Sequence, residues 1–266
     1  MDSSAGRLIS AAKNGDAKAI KSLVDMNVQL DVRDEEGFTA LAHAAKNGHT
    51  FAGMLLIASG ANIHVPNRYN RSPLYLAADN GHTEIAQLLI DLAAELDARD
   101  CLSLTPLDAA ARNNHTEVMK ILLQAKASID TEDEFGWTPL IGAAARGHVN
   151  AVKLLIASGA RVNPQELPSH TALDAAAKNG HTEVVKVLLN AKASIDPVDN
   201  FRRTPLQGAA QNGHTDIVSL LIAHRANIKA CDMQGYSPLA YAKMNAHTET
   251  IAVLMDAEAA LDASSR

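Results

Sequence analysis

A strict 33-residue period runs through this chain and constrains its fold more than any other feature. The tripeptide Thr39-Ala40-Leu41 returns six times at steps of 33 residues, with no insertion or deletion, mostly as Thr-Pro-Leu or Ser-Pro-Leu. A second marker, Gly48-His49 in its first full copy, follows each tripeptide and keeps the same period. Two separated motifs in one register predict a stack of similar units rather than a single globular core.

Each copy can be interpreted as a pair of short helices. Thr39 is a candidate N-cap, and the proline of later copies falls at the first helical position, where its missing N–H does no harm. Asn47-Gly48 ends the first helix because glycine permits a positive φ, and His49 opens a second, apolar helix. An Asp, Asn or Glu precedes the next Thr or Ser and marks a turn between units.

Helix, turn, helix and hairpin at a period of 33 resembles the ankyrin repeat over nearly the whole chain. The resemblance implies an all-α solenoid of about eight stacked helix-turn-helix pairs with β-hairpin loops, forming one domain over residues 1–266 with a concave binding face. The units are expected at 1–33 (N-terminal cap), 34–66, 67–99, 100–132, 133–165, 166–198, 199–231 and 232–266 (C-terminal cap).

The glycine that ends the second helix in this family is kept only at Gly60 and Gly159. Ala93, Lys126 and Glu258 are among the residues that replace it elsewhere. A non-glycine residue held in the left-handed conformation costs on the order of 1 kcal/mol, so some of these helix ends are expected either to carry that strain or to rearrange.

Composition argues against several classes of function. A net charge of −6 with both signs spread along the chain speaks against nucleic acid, which requires concentrated Lys and Arg. No stretch reaches 18 apolar residues, so no membrane insertion is expected. Two cysteines, with no apolar segment near Met1, favour a cytoplasmic protein, either in its own cell or in a host cell as an injected bacterial effector.

No catalytic, cofactor or metal site is expected. Seven of the eleven histidines fill one position per unit, which places successive copies about 8–10 Å apart, too far to share a metal ion. No phosphate-binding glycine loop, nucleophile elbow or His-Glu-x-x-His helix is present.

The chain is therefore interpreted as a monomeric, non-enzymatic adaptor or inhibitor that binds another protein. The alternative is a targeting subunit that tethers a separate enzyme to its substrate.

The positions that vary between units are the candidates for partner binding, since repeated positions maintain the scaffold. Six of the nine aromatic residues fall in the hairpins, and aromatic and Arg residues dominate interface hot spots. Packing of the hairpins on one another is the competing explanation for them. The candidates are Phe38, Tyr69, Arg71, Arg112, Phe135, Trp137, Arg146, His170, Lys178, Phe201, Arg203 and Tyr236, with Trp137 as the expected centre.

Overall fold

A computed structural model of the chain describes residues 4–163 and 170–264. Pro164 and Pro168 bracket the turn into the unit at 166–198, where the sequence predicts poor pairing because proline removes N–H donors. This segment lies outside the described residues. The chain divides into two compact units, Met1–Phe135 and Gly136–Arg266, and each is described by itself. The prediction of a single domain over residues 1–266 stays a prediction.

The first unit consists of four helix pairs in two layers. Its inner helices α1, α3, α5 and α7 pack on one another in chain order, and its outer helices α2, α4, α6 and α8 form the second layer. The helices span α1 Ser4–Lys13, α2 Ala17–Asp25, α3 Ala40–Lys46, α4 Thr50–Ala58, α5 Pro73–Asp79, α6 Thr83–Asp91, α7 Pro106–Arg112 and α8 Thr116–Gln124.

The second unit repeats this arrangement with four more pairs. Inner helices α9, α11, α13 and α15 and outer helices α10, α12, α14 and α16 form its two layers. They span α9 Pro139–Ala145, α10 Val149–Ala157, α11 Ala172–Lys178, α12 Thr182–Asn190, α13 Pro205–Gln211, α14 Thr215–Ala223, α15 Pro238–Met244 and α16 Thr248–Ser264. The predicted helix-turn-helix stacking is confirmed.

The inner helices begin where the sequence predicts. Thr39 has an extended backbone, and its side chain accepts a hydrogen bond from the backbone N–H of Ala42. The Thr105 side chain likewise accepts from the backbone N–H of Asp108. The Asp108 carboxylate in turn accepts from the Thr105 N–H, which completes a capping box. Behind the caps from Thr39 to Thr204, Leu41, its counterparts and the alanine pairs are buried. The small side chains let neighbouring helices approach closely.

The ends of the outer helices show how the missing glycines are tolerated. Ala93, Lys126, Lys192 and Arg225 keep a positive φ, between 59° and 75°, and so carry the strain of the left-handed conformation. At Glu258 the end has rearranged instead. Helix α16 continues through this residue to Ser264, so the last unit lacks the tight helix end of its predecessors.

Candidate protein-interaction surface

An acidic or amide residue ahead of the inner helix organises the loops between helix pairs that the structure describes. In the first unit, Oδ1 of Asp100 accepts hydrogen bonds from the backbone N–H groups of Leu102 and Leu104, at 2.8 and 3.0 Å. Oδ1 of Asn67 does the same for Tyr69 and Arg71. One side-chain oxygen therefore holds the whole turn, as short polar side chains commonly do in tight loops. Equivalent pairs of bonds form at Asp34, Asp199 and Asp232.

Successive loops are joined through their backbones. The N–H of Cys101 donates to the carbonyl of Tyr69 at 2.9 Å, and that of Glu134 donates to Leu102 at 3.2 Å. In the second unit, Met233 donates to Phe201 at 3.0 Å. The predicted β-hairpins are thus hydrogen-bonded turns, and no strand forms within residues 4–163 and 170–264, because each turn is too short for a ladder.

Two positions in the loops, the tip and the residue before the cap, differ in how far their side chains are exposed to solvent. The tip position, two residues after the Asp or Asn, points away from the stack. It holds Tyr69, Leu102 and Phe135 in the first unit, exposed by 55%, 39% and 63%. Phe201 holds the tip position in the second unit and is also exposed. The first unit therefore presents a row of three apolar side chains on consecutive, hydrogen-bonded loops.

The pre-cap position, directly before the capping Thr or Ser, packs instead. Phe38 is only 4% exposed and lies against Ala42 and Leu76, so this candidate binding residue serves the core. The rings of Trp137 and His170 lie 5.7 Å apart, and Trp137 is half-buried.

Tyr236 shows the same behaviour in the last loop. Its ring lies 5.7 Å from that of Tyr241, although 36% of Tyr236 stays exposed. The Tyr241 hydroxyl donates to Oδ2 of Asp232 at 2.6 Å. Packing, the competing explanation for the aromatic residues of the hairpins, thus accounts for most of the aromatic side chains at the pre-cap position.

Three arginines predicted to face a partner are engaged within their own units. Arg71 donates through Nε to Oδ2 of Asp100 at 3.2 Å, where the Asp100 side chain has no exposed surface. Its guanidinium also lies over the ring of Tyr75, at 5.0 Å. Arg71 is therefore a structural residue first, because a buried carboxylate left without its cation is costly.

Arg112 and Arg203 follow the same rule. Arg112 donates through Nη2 to Oδ2 of Asp133 at 2.6 Å, with the carboxylate 2% exposed. Arg203 pairs with Asp199 at 2.7 Å. Burial raises the pKa of Asp199, but the hydrogen bonds from Arg203 and Phe201 outweigh it, and the pKa lies below its usual value. Each of these arginines thus neutralises a loop carboxylate, and its contact with a partner stays a prediction.

Two basic candidates remain at the surface of the second unit. Arg146 follows the last residue of α9 and Lys178 ends α11, and both residues are exposed. These two inner helices pack against each other. That these two side chains contact a partner stays a prediction.

The histidines that recur once per unit join neighbouring helix pairs. His82 and His115 place Nε2 at 3.0 and 3.1 Å from the carbonyl oxygens of Lys46 and Asp79, each at the end of the preceding inner helix. In the second unit, His214 bonds to Lys178 in the same way. Within the described ranges, no group of His, Cys, Asp or Glu is placed to hold a metal ion. None of the described helices is long and apolar enough to cross a membrane.

Asp108 was not anticipated as a titrating group. It is fully buried, and burial raises its pKa to about 6, although hydrogen bonds from Thr105 and the charge of Arg112 act in the opposite direction. Its Oδ2 also accepts from the Thr131 hydroxyl at 3.3 Å. Its Oδ1 has no hydrogen-bond partner in the described part of the chain. The sequence hint was an acidic residue directly after Thr105-Pro106-Leu107, a position where ankyrin repeats often have His.

Comparison with known proteins agrees with this geometry. A family model described as "Ankyrin repeats (3 copies)" matches residues 8–100, 107–199 and 173–265. Among solved structures, the human ASB11 ankyrin repeat domain is similar at a TM-score of 0.74 and 27% identity, covering 82% of this chain and 96% of that one. A search of curated proteins finds no match. The chain belongs to the ankyrin-repeat family, whose repeats generally act as protein–protein interaction modules.

Proposed function

We propose that this protein is a non-catalytic adaptor or inhibitor that binds a folded protein through its loop tips and the ends of its inner helices. The observation that carries the proposal is the row formed by Tyr69, Leu102 and Phe135 on consecutive loops of the first unit. Large apolar side chains aligned at a surface are uncommon unless something covers them. Tyrosine is also among the residue types enriched in hot spots.

The rigidity of the loops favours tight binding. The loops of Tyr69 and Leu102 are each fixed by two hydrogen bonds to one side-chain oxygen and by a backbone bond to the next loop. A surface that is already ordered loses little conformational entropy when a partner docks. In the second unit, Phe201, Arg146 and Lys178 suit a partner that offers apolar and acidic groups.

The exposed, unbridged Cys101 and Cys231 are consistent with a cytoplasmic, monomeric protein in its own cell or in a host cell.

The test begins with affinity capture by the intact chain and mass spectrometry of what it retains. The double variant Tyr69→Ser/Phe135→Ser should then weaken binding of the retained protein by at least ~2 kcal/mol, or roughly 30-fold. Its melting temperature should stay close to that of the parent, because both side chains are mainly solvent-exposed. Unchanged affinity would contradict the proposal.

Trp137→Ala provides the matched comparison. The sequence makes Trp137 the centre of the site, whereas its half-buried ring near His170 favours a packing role. If Trp137 is a hot spot, this variant loses affinity and keeps its stability. If Trp137 packs the loop, melting falls and affinity changes less than in the Tyr69→Ser/Phe135→Ser variant.

A further inference from the structure

The outer helix α4 carries an exposed apolar stripe with an aromatic ring, which no other outer helix in the described residues has, although α16 also exposes Met255. Phe51, Met54 and Ala58 are all exposed, Phe51 by 63% and Met54 by 48%. Their spacing of three and four residues places them on one face of the helix. These three residues form the outer stripe of α4, which lies in the outer layer, away from the inner helices that carry the capping residues.

The positions of Phe51 and Met54 are polar in most other outer helices. On α8 they hold Glu117 and Lys120, whose side chains form an ion pair at 2.7 Å. On α12, Glu183 and Lys186 pair at 2.6 Å. An exposed Glu–Lys pair three residues apart is an ordinary way to keep a helix surface soluble. In α4 that pair is replaced by Phe51 and Met54, so the stripe departs from the rest of the repeat.

The stripe is flanked by opposite charges. Helix α2 packs on one side of α4 and presents Lys18 and Lys21, of which Lys21 is 70% exposed beside Asp25 at 3.9 Å. Helix α6 packs on the other side and presents Glu84. The Thr50 hydroxyl donates to Glu84 at 3.4 Å, which fixes this carboxylate next to the start of α4.

We propose that the outer stripe of α4 binds an amphipathic α-helix of a partner protein, separately from the loop tips. An apolar seam with positions i, i+3 and i+7 between flanks of opposite charge is the arrangement by which two helices recognise each other. The partner helix carries acidic residues on the side of α2 and basic residues on the side of α6, which sets its direction along α4.

A second copy of this chain fits less well. Stable dimers bury about 800 Å² on each partner, whereas the stripe consists of three side chains on a nine-residue helix between charged neighbours. A single helix needs far less surface. A protein that binds one partner at its loop tips and a helix at α4 could hold two partners at once.

A designed peptide provides the test. The probe is a constrained helix of about 20 residues with Leu at positions i, i+3 and i+7, Glu along one flank and Lys along the other, titrated into the ¹⁵N-labelled full chain. We expect amide shifts in α2, α4 and α6. Lys18→Glu/Lys21→Glu should weaken binding at least 10-fold, whereas the charge-matched Lys153→Glu/Lys186→Glu on α10 and α12 should leave it unchanged.

The decisive variant is Phe51→Glu/Met54→Lys, which rebuilds the ion pair of α8 in α4 and should keep the fold while abolishing the shifts. Tyr69→Ser/Phe135→Ser should not affect the peptide, so the two proposed surfaces can fail independently. Peptide binding that survives Phe51→Glu/Met54→Lys, or the absence of shifts in α4, would overturn the proposal. Sedimentation of the intact chain should show no self-association that depends on Phe51, because such a dimer would identify a second copy as the occupant.

Discussion

At the scale of single residues, the loop carboxylates divide their two oxygens between two tasks. Oδ1 of Asp100 holds the turn, and Oδ2 receives the guanidinium of Arg71. Asp34 uses the same division with His43, whose Nε2 lies 2.8 Å from Oδ2. Asn67, in the equivalent position, holds its turn through Oδ1 alone, which shows that the turn itself needs no charge.

Arg71→Leu should therefore destabilise the protein by about 2–3 kcal/mol, because it leaves the buried Asp100 carboxylate without its cation. The double variant Arg71→Leu/Asp100→Asn should recover most of this loss, since an amide oxygen still holds the turn. Urea unfolding of the two variants measures the difference. If the double variant were no more stable than Arg71→Leu, the ion pair would not be the cause.

The pKa of Asp108 predicts how stability depends on pH. Its folded pKa of about 6 lies above its value in the unfolded chain, so the folded state binds more protons between roughly pH 4 and 6. The contribution of this group to stability is then greatest below about pH 4 and is lost as the pH rises through 6. Asp108→Asn should gain stability relative to the parent over this window, by up to about 3 kcal/mol at pH 7.

Urea unfolding of both proteins at intervals from pH 4 to pH 7.5 checks this expectation. Asp91→Asn, at an exposed position on α6, is the control and should track the parent. A constant difference between Asp108→Asn and the parent across the range would contradict the assignment to Asp108.

At the scale of helices, two features favour glycine at position 81, in the turn between an inner and an outer helix. Gly81 has a φ of 75°, and a Cβ built on it would lie 2.5 Å from Nδ1 of His115. Gly60, at the end of α4, has a φ of 98° but nothing within 4 Å of such a Cβ. The two glycines thus share a backbone requirement and differ in whether a histidine from the next helix pair covers them.

Gly60→Ala should cost about 1 kcal/mol, the strain of the left-handed conformation. Gly81→Ala should cost at least ~1 kcal/mol more, because the added methyl displaces His115 and weakens its bond to the Asp79 carbonyl. Thermal unfolding of the two variants measures the gap. Equal losses would mean that the histidine contact adds nothing to the helix-pair interface.

At the scale of the whole molecule, the two ends should differ in local stability from the middle. Helix α16 has 17 residues, but among its described side chains only Thr250 and Leu254 are buried, so few contacts hold it on the stack. Amide hydrogen exchange should therefore be faster in residues 248–264 than in α6 and α12. Equal protection would contradict this expectation.

The local features of this protein could be predicted from its sequence alone. The helix starts at Thr39 and Thr105, the left-handed turn at Gly48, and the stacking at period 33 all depend on contacts within about four residues or on the repeat itself. Such contacts leave a pattern in the sequence because the same short segment must satisfy its own backbone in every unit.

The tertiary structure decided which variable side chains remain available to a partner. Arg71 meets Asp100 across 29 residues and Arg112 meets Asp133 across 21, so neither partnership can be seen in a local pattern. Phe38 and Phe135 are both loop phenylalanines, yet one is buried by Leu76 and the other is exposed. Solvent exposure and ion pairing depend on residues that the fold brings together from neighbouring units, and only the packed stack determines them.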